Sequence, residues 1–375
     1  MNPKKITVLA FLVLLIVPAV CFALPFDIGA TSGSGVAWPK LSFKAVADKS
    51  YALGVESYFT QHFLERDQFL RLKTTLDVAS GKKETNDVYL SESRLLQKVT
   101  LPTDESMRKS IESINRFASN SDKQIYFLLI PTAAEIYKET LPAYSPKADE
   151  LAFINKTYSQ LHSSITTLDA ATPLTNSKEG EIFYRTDRRL TSYGAYSIYN
   201  YNIKSMGSVP AKLSDFSIEH LSGSFYGSLY KKTQYSLVKP DTIDLYHYAA
   251  KQYSSYVTIR NGTETTFHDN IYFRDRLTLS DPLSVFLGGT KPFINIQTDN
   301  QAKKNLLIFT DGNLGAMSQF LTIHYDDITI VDLSYLTEYY RDSIDFDRYD
   351  NVLFYYSTPS MLESDKFGKL SLFSK

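Results

Sequence analysis

Short, almost wholly apolar runs separated by helical periodicities constrain this chain more than any other feature. "DKQIYFLLIP" is too short for a helix of ordinary length and has no polar face. It therefore reads as a strand buried on both sides and ended by Pro131. "SITTLDA", "EIFYRTD", "NLLIFTD", "DITIVDL" and "NVLFYY" read as strands of the same kind. The amphipathic segment "DESMRKSIESINRFASN" precedes the first, and helical patterns over 146–162, 191–206 and 314–325 lie between several others. Alternation of this sort predicts an α/β fold, a mostly parallel sheet flanked by helices. Between 216 and 275 the pattern changes to alternating Tyr, Thr and Val, as in "TIDLYHY" and "SSYVTIR", with turns at "KPD" and "RNG". This predicts an antiparallel β insertion. Further upstream, "KETNDVYLSESRLLQ" reads as a short hairpin turning at Asn86-Asp87.

The N-terminus carries a second physical signal. After Lys4 and Lys5 no charge occurs until Asp27, and the 21-residue run "ITVLAFLVLLIVPAVCFALPF" is long enough to span a bilayer as a helix. The flanking lysines would keep the N-terminus cytoplasmic and place the rest of the chain outside. Residues 1–27 thus read as a retained single-pass anchor, with a cleaved signal peptide as the alternative. Cys21 and Ala23 would flank a cut before Leu24. Residues 28–50, with "GATSGSG", read as a spacer, and 51–375 as the exported domain. That domain opens on "GVESYFTQHFLERDQFLRLKTTLDVAS", a helical pattern interrupted near Arg66-Asp67.

Composition closes off other classes. The net charge is −1 with both signs interspersed, which gives no electrostatic footprint for nucleic acid. Cys21 is the single cysteine, so no intrachain disulfide can form. The six histidines, at 62, 162, 220, 247, 268 and 324, are scattered without metal-ligand spacing, so no metal or cofactor is expected. Aromatics reach 14%, from 27 Tyr and 23 Phe. They suit tyrosine-rich packing, or a surface that stacks on sugars.

In an open parallel sheet, ligands sit beyond the carboxyl ends of the strands. Two such ends carry suggestive residues: "EIFYRTD", ending in Asp187, and "NLLIFTD", running into Asp311, Gly312 and Asn313. Around them the chain resembles the DHHW family of bacterial exported proteins, relatives of the alginate O-acetylation proteins with an SGNH-hydrolase-like fold. The family's Asp-His-His-Trp followed by Thr-x-x-Gly-Ala-Tyr corresponds to "DRRLTSYGAY" at Asp187, Thr191, Gly194, Ala195 and Tyr196. "ESYFTQHFLERDQFLRLK", "IYFLLIPTAAEIYKETLP", "FYGSLY", "LLIFTDGNLGAMSQFL", "ITIVDLSYL" and "YDNVLFYY" extend the likeness over about 300 residues.

The departures from the pattern bear on chemistry. By this resemblance the catalytic base falls on Arg189, the nucleophile on Gly312 and the orienting acid on Asp187, with Arg188 and Leu190 replacing the other His and the Trp. Arginine does not give up its proton near neutral pH, and glycine has no nucleophilic atom. Loss of either partner from such a triad costs orders of magnitude in rate. Three positions offer a rescue: Ser318, whose hydroxyl should face away from the strand end, and His268 or His324. Arg189 either pairs with Asp187 or Asp311, or joins Arg185, Arg188, Asp311 and Asn313 in a pocket for an anionic group. The resemblance implies a membrane-anchored pseudoenzyme, a binding or scaffold subunit in acylation of a surface polysaccharide or cell-wall polymer, beside a membrane-bound O-acyltransferase. The alternatives are an active O-acetyltransferase or acetylesterase with a non-standard nucleophile, and a carbohydrate-binding module using "SFYGSLY" and "YHYAAKQYSSY".

Overall fold

A computed structural model of the protein describes Val8, Phe11, Leu12 and residues 38–47, 49–62, 66–361 and 364–373. Two compact units divide at Leu76–Asp77. Most of the expected anchor and the first part of the spacer lie outside the described residues, and among those described no helix is long and apolar enough to cross a membrane. In the first unit Phe43–Ala47, within the expected spacer, forms a short helix. It is followed by the helix Ser50–His62, and Trp38 meets Tyr58 edge-on at 5.1 Å. Arg66 opens the next helix, Arg66–Ala79, where the periodicity is interrupted.

The second unit is built on an eight-stranded sheet. Its strands are β4 (Gln124–Ile130), β5 (Ile165–Leu168), β8 (Ser255–Asn261), β9 (Glu264–His268), β10 (Phe293–Thr298), β11 (Asn305–Thr310), β12 (Asp327–Asp332) and β13 (Asn351–Ser357). The order is β5-β4-β13-β11-β12-β10-β8-β9, parallel from β5 to β12 and antiparallel beyond it. The apolar runs are explained by side-chain alternation. Ile125, Phe127 and Leu129 enter one core with Phe309 and Phe354, while Tyr126, Leu128 and Ile130 enter another with Ile308 and Tyr355. Both faces are covered, so neither can be polar. The helix Asp104–Ser119, capped by Thr103, buries Met107, Ile111, Ile114 and Phe117 against the first face. Ser192–Asn202 packs on the second, where Tyr196, Tyr199, Phe216, Tyr246 and Phe320 form one aromatic cluster. Much of the tyrosine content is therefore internal packing.

Two expectations need correction. The antiparallel insertion over 216–275 is not one body. β6 (Phe216–Phe225) and β7 (Asp241–Tyr248) form a separate ribbon. β8 and β9 instead widen the main sheet through β10, because Ile294 and Ile296 pair with Ile259 and Val257 across an apolar register. In addition, "EIFYRTD" is not a sheet strand. Phe183 bridges Leu190 and Tyr184 N–H donates to Arg189, so the segment turns back on itself. The Asp241 carboxylate accepts the amides of Arg185 and Thr186 at 2.7 and 2.9 Å, taking donors that a strand neighbour would otherwise use.

The hairpin at Asn86-Asp87 forms as expected. Both residues have positive φ, 51° and 58°, between β1 (Glu84–Thr85) and β2 (Val88–Leu90), and β3 (Leu95–Gln97) completes a small sheet.

Candidate functional site

The carboxyl ends of β4, β11 and β13 open into a cleft with two connected parts, which share Arg189, Leu190, Asn313 and Tyr355. The larger is a cavity of about 440 Å³ lined by Lys98, Arg188, Asp311, Ser357, Ser360 and Lys366, among others. The smaller is narrow and mostly apolar, between Tyr184, Leu283, Phe286, Thr290 and Gly312. Asp187 lines neither part of the cleft: it lies buried on the turned-back 183–190 segment, bonded to Arg189, which does line both.

Asp187 is fully buried and held from four sides. Arg189 donates to it from N–H at 3.0 Å, Nε at 2.8 Å and Nη2 at 3.0 Å, and the Ser228 amide donates at 2.7 Å. Ser228 opens the Ser228–Thr233 helix, which explains "FYGSLY". Gly227 passes so close to Asp187 that a Cβ there would lie 2.4 Å from the Asp187 Cβ. Burial alone would raise the Asp187 pKa, but the adjacent guanidinium and the amides hold it well below the usual carboxylate range.

Arg189 also donates from Nη1 and Nη2 to Asp281 at 2.8 and 2.7 Å. Burial works against its charge, yet the two carboxylates raise its pKa further, so at the position matched to the base there is a permanent, doubly paired cation. The partner beside Asp187 is thus Asp281 and not Asp311.

Gly312 sits at φ +83°, and a Cβ built there would lie 2.4 Å from Thr290 Cγ2 and 2.7 Å from its Oγ1. A serine could enter here only if the exposed Thr290 side chain moved aside. Asp311 is spent on backbone and hydroxyl donors: Asn313 N–H at 3.0 Å, Ser357 N–H at 3.1 Å, Ser357 Oγ at 2.7 Å, and Ser360 Oγ. It ties the β11 turn to the end of β13.

The remaining expected residues divide clearly. Arg188 is exposed, lines the larger cavity, and makes no hydrogen bond or ion pair among the described residues. Arg185 does not line the cleft, because its guanidinium is drawn to Glu181. Ser318 is buried and lines neither cavity, its hydroxyl donating to Gly315 O at 2.7 Å. His268 packs against Phe273 at 4.2 Å with the rings tilted by 52°, and His324 bonds Tyr199 at 2.7 Å. Burial lowers the His324 pKa to about 4. Among the described residues no imidazole lines either cavity, and no group of three His, Cys, Asp or Glu is placed to hold a metal ion.

The motif "TSYGAY" is a helix start. Thr191 caps by accepting the Gly194 amide at 3.1 Å, Ala195 lines the narrow cavity, and Tyr196 enters the aromatic cluster. Asp281, Thr290, Asp241, Ser357 and Ser360 were not legible beforehand, since nothing local in the sequence marks them as neighbours of this mouth.

The sequence profile described as DHHW protein matches residues 105–331. No curated protein matches the chain. Among solved structures, a DHHW family protein from Eubacterium siraeum is similar at 22% identity and a TM-score of 0.61, over 76% of this chain and 96% of its own. PatB1 from Bacillus cereus is similar at 19% identity and a TM-score of 0.62, over 75% of this chain and 98% of its own. A second PatB1 structure, bearing a sulfonyl adduct, aligns at 18% identity with a TM-score of 0.62, covering 75% and 97% of the two chains. At these identities the likeness establishes the shared fold.

Proposed function

The chain belongs to the DHHW family, and from that premise we propose that it is a non-catalytic member, anchored at the outer face of the membrane. In this reading it binds or scaffolds a surface polysaccharide or cell-wall polymer during acylation by a membrane-bound O-acyltransferase. One observation carries the reading. At the mouth of the sheet, Arg189 is clamped between Asp187 and Asp281, where the family pattern has its base, and Thr290 fills the space beside Gly312, where it has its nucleophile. Acyl transfer needs a group that can be acylated and a neighbour that can take its proton. At the two matched positions there is neither, while the cavity and Asp187 remain.

The apolar run at 6–26 and the lysines before it support an anchored, outward-facing chain. The active alternative has hydroxyls to draw on, Ser357 and Ser360, but both are hydrogen-bonded to Asp311. The test exposes the full chain to a sulfonyl fluoride, a fluorophosphonate and a chromogenic acetyl ester, with intact-mass readout. The reading expects no adduct and hydrolysis at the buffer rate; an adduct on a cleft residue would overturn it.

A further inference from the structure

A second concavity lies apart from the cleft. It is a groove of about 490 Å³ walled by β7, the 251–255 loop, Tyr272 and the last turn of the Ser318–Leu321 helix. Its sequence is largely "YHYAAKQYSSY". The ring positions are fixed from behind. Tyr272 donates its hydroxyl to Tyr246 O at 2.7 Å and to Gln319 Oε1 at 3.1 Å, and Tyr253 shares a hydrogen bond with Thr322 at 3.0 Å. Tyr248 packs on Phe216 at 5.5 Å and meets Tyr253 at 6.4 Å and 47°, so two rings form an angled wall.

Lys251 and Asp299 line the groove with charges of opposite sign, each making a hydrogen bond to the backbone. Lys251 donates to Asn300 O, and Asp299 accepts the Ser254 amide at 2.7 Å. His247 holds Glu219 through Nε2 at 2.8 Å, and Glu219 is also held in a fork by Arg274. The other uncommitted groups are neutral. The Tyr248 hydroxyl, the Gln252 amide, the Ser255 hydroxyl and the Asn270 Nδ2 have no hydrogen-bond partner among the described residues. Preset aromatic walls with unspent amides and hydroxyls, and no excess of one charge between Lys251 and Asp299, match a ligand that offers both donors and acceptors around an apolar ring face. Because the rings are held before binding, little side-chain entropy is lost on contact.

We propose that this groove is a binding subsite for an uncharged glycan chain, physically separate from the cleft and independent of whether the cleft is catalytic. The ligand class follows from the hydrogen-bonding groups: a neutral hexose or N-acetylhexosamine oligomer fits them, whereas a polyuronate would bring a carboxylate on every ring to a groove that offers Lys251 alone, with Asp299 against it.

The experiment titrates the full chain with cellohexaose, with the hexamer of N-acetylglucosamine and with a hexagalacturonate, by saturation-transfer NMR and calorimetry. At least one neutral hexamer should bind. Tyr248→Ala should weaken that binding about tenfold, the size expected for one lost aromatic contact. Gln252→Ala, at an exposed loop position, should weaken it several-fold without altering the thermal midpoint, and Arg188→Ala in the cleft should leave it unchanged. No binding of either neutral hexamer, or binding lost in Arg188→Ala and kept in both groove variants, overturns the proposal. Neither result alters the cleft reading, whose own test is covalent labelling.

Discussion

Replacing Arg189 by alanine should destabilise the fold by about 3–5 kcal/mol, far more than an arginine a quarter exposed would ordinarily cost. Asp187 has no exposure to water and keeps two donors after the change, the amides of residues 189 and 228. It loses Nε and Nη2, two charge-assisted bonds worth about 1.5–3 kcal/mol each. The Asp281 side of the clamp is about half exposed, so Asp281→Ala should cost no more than about 1 kcal/mol. The sign with pH follows from Asp187. Its folded pKa lies below the unfolded value, so its stabilisation is present above about pH 4 and is lost as the pH falls through the folded pKa. Without Arg189 the burial effect is left largely unopposed, and the gap between parent and variant should shrink as the pH drops from 7 to 4. The assay is urea unfolding of the full chain at both pH values, followed by circular dichroism. In a double-mutant cycle, Asp187→Asn with Arg189→Leu should cost less than the sum of the single changes. A loss below 1 kcal/mol for Arg189→Ala, or Asp281→Ala as damaging as Arg189→Ala, would refute the view that Arg189 exists chiefly to neutralise a buried carboxylate.

Four further outcomes follow from contacts in the structure. Gly312→Ser should lower stability by about 1–3 kcal/mol, from strain at positive φ and collision with Thr290, and adding Thr290→Gly should recover part of that loss in thermal melts. The double change Arg189→His with Gly312→Ser should not raise acetyl-ester hydrolysis above background while Thr290 remains. Gly227→Ala should cost about 2–4 kcal/mol in the same unfolding assay, because its Cβ would meet both the Cβ and the backbone of Asp187. For His324, the folded pKa of about 4 lies below the unfolded value of about 6.5. The unfolded chain therefore binds the extra proton between these limits, and stability should fall on acidification from pH 6.5 to 4 by up to about 3 kcal/mol. His324→Gln should flatten that part of the stability–pH curve, and an unchanged slope would place the titration elsewhere.

The parts of this protein that could be read from sequence are those in which a residue's reason is local. Apolar runs with no polar face mark strands covered on both sides, and β4, β11, β12 and β13 form where those runs occur. Thr191 is a helix cap because its hydroxyl reaches an amide three residues on. "EIFYRTD" has the same apolar look and was misread, because its fate is decided by Asp241, more than fifty residues away, whose carboxylate takes two of its amides. β10 carries no strong signal of its own and is made a strand by its neighbours on both sides.

The site divides along the same line, and its division bears on what the mouth is. An arginine and a glycine at the matched base and nucleophile positions are visible in sequence as two losses. The structure shows that each loss has an answering neighbour from a distant stretch: Asp281, 92 residues beyond Arg189, completes its pairing, and Thr290, 22 residues before Gly312, takes up its space. Here the charge of Arg189 is balanced and the volume beside Gly312 is filled, while the larger cavity next to them stays open with Arg188 at its wall. On the proposed non-catalytic reading, a filled corner beside an open cavity is the arrangement expected of a cleft used for holding a ligand. On that reading a hydroxyl and an imidazole could not be introduced one at a time without cost, since changing Arg189 alone leaves the buried Asp187 without its guanidinium and changing Gly312 alone brings a Cβ against Thr290.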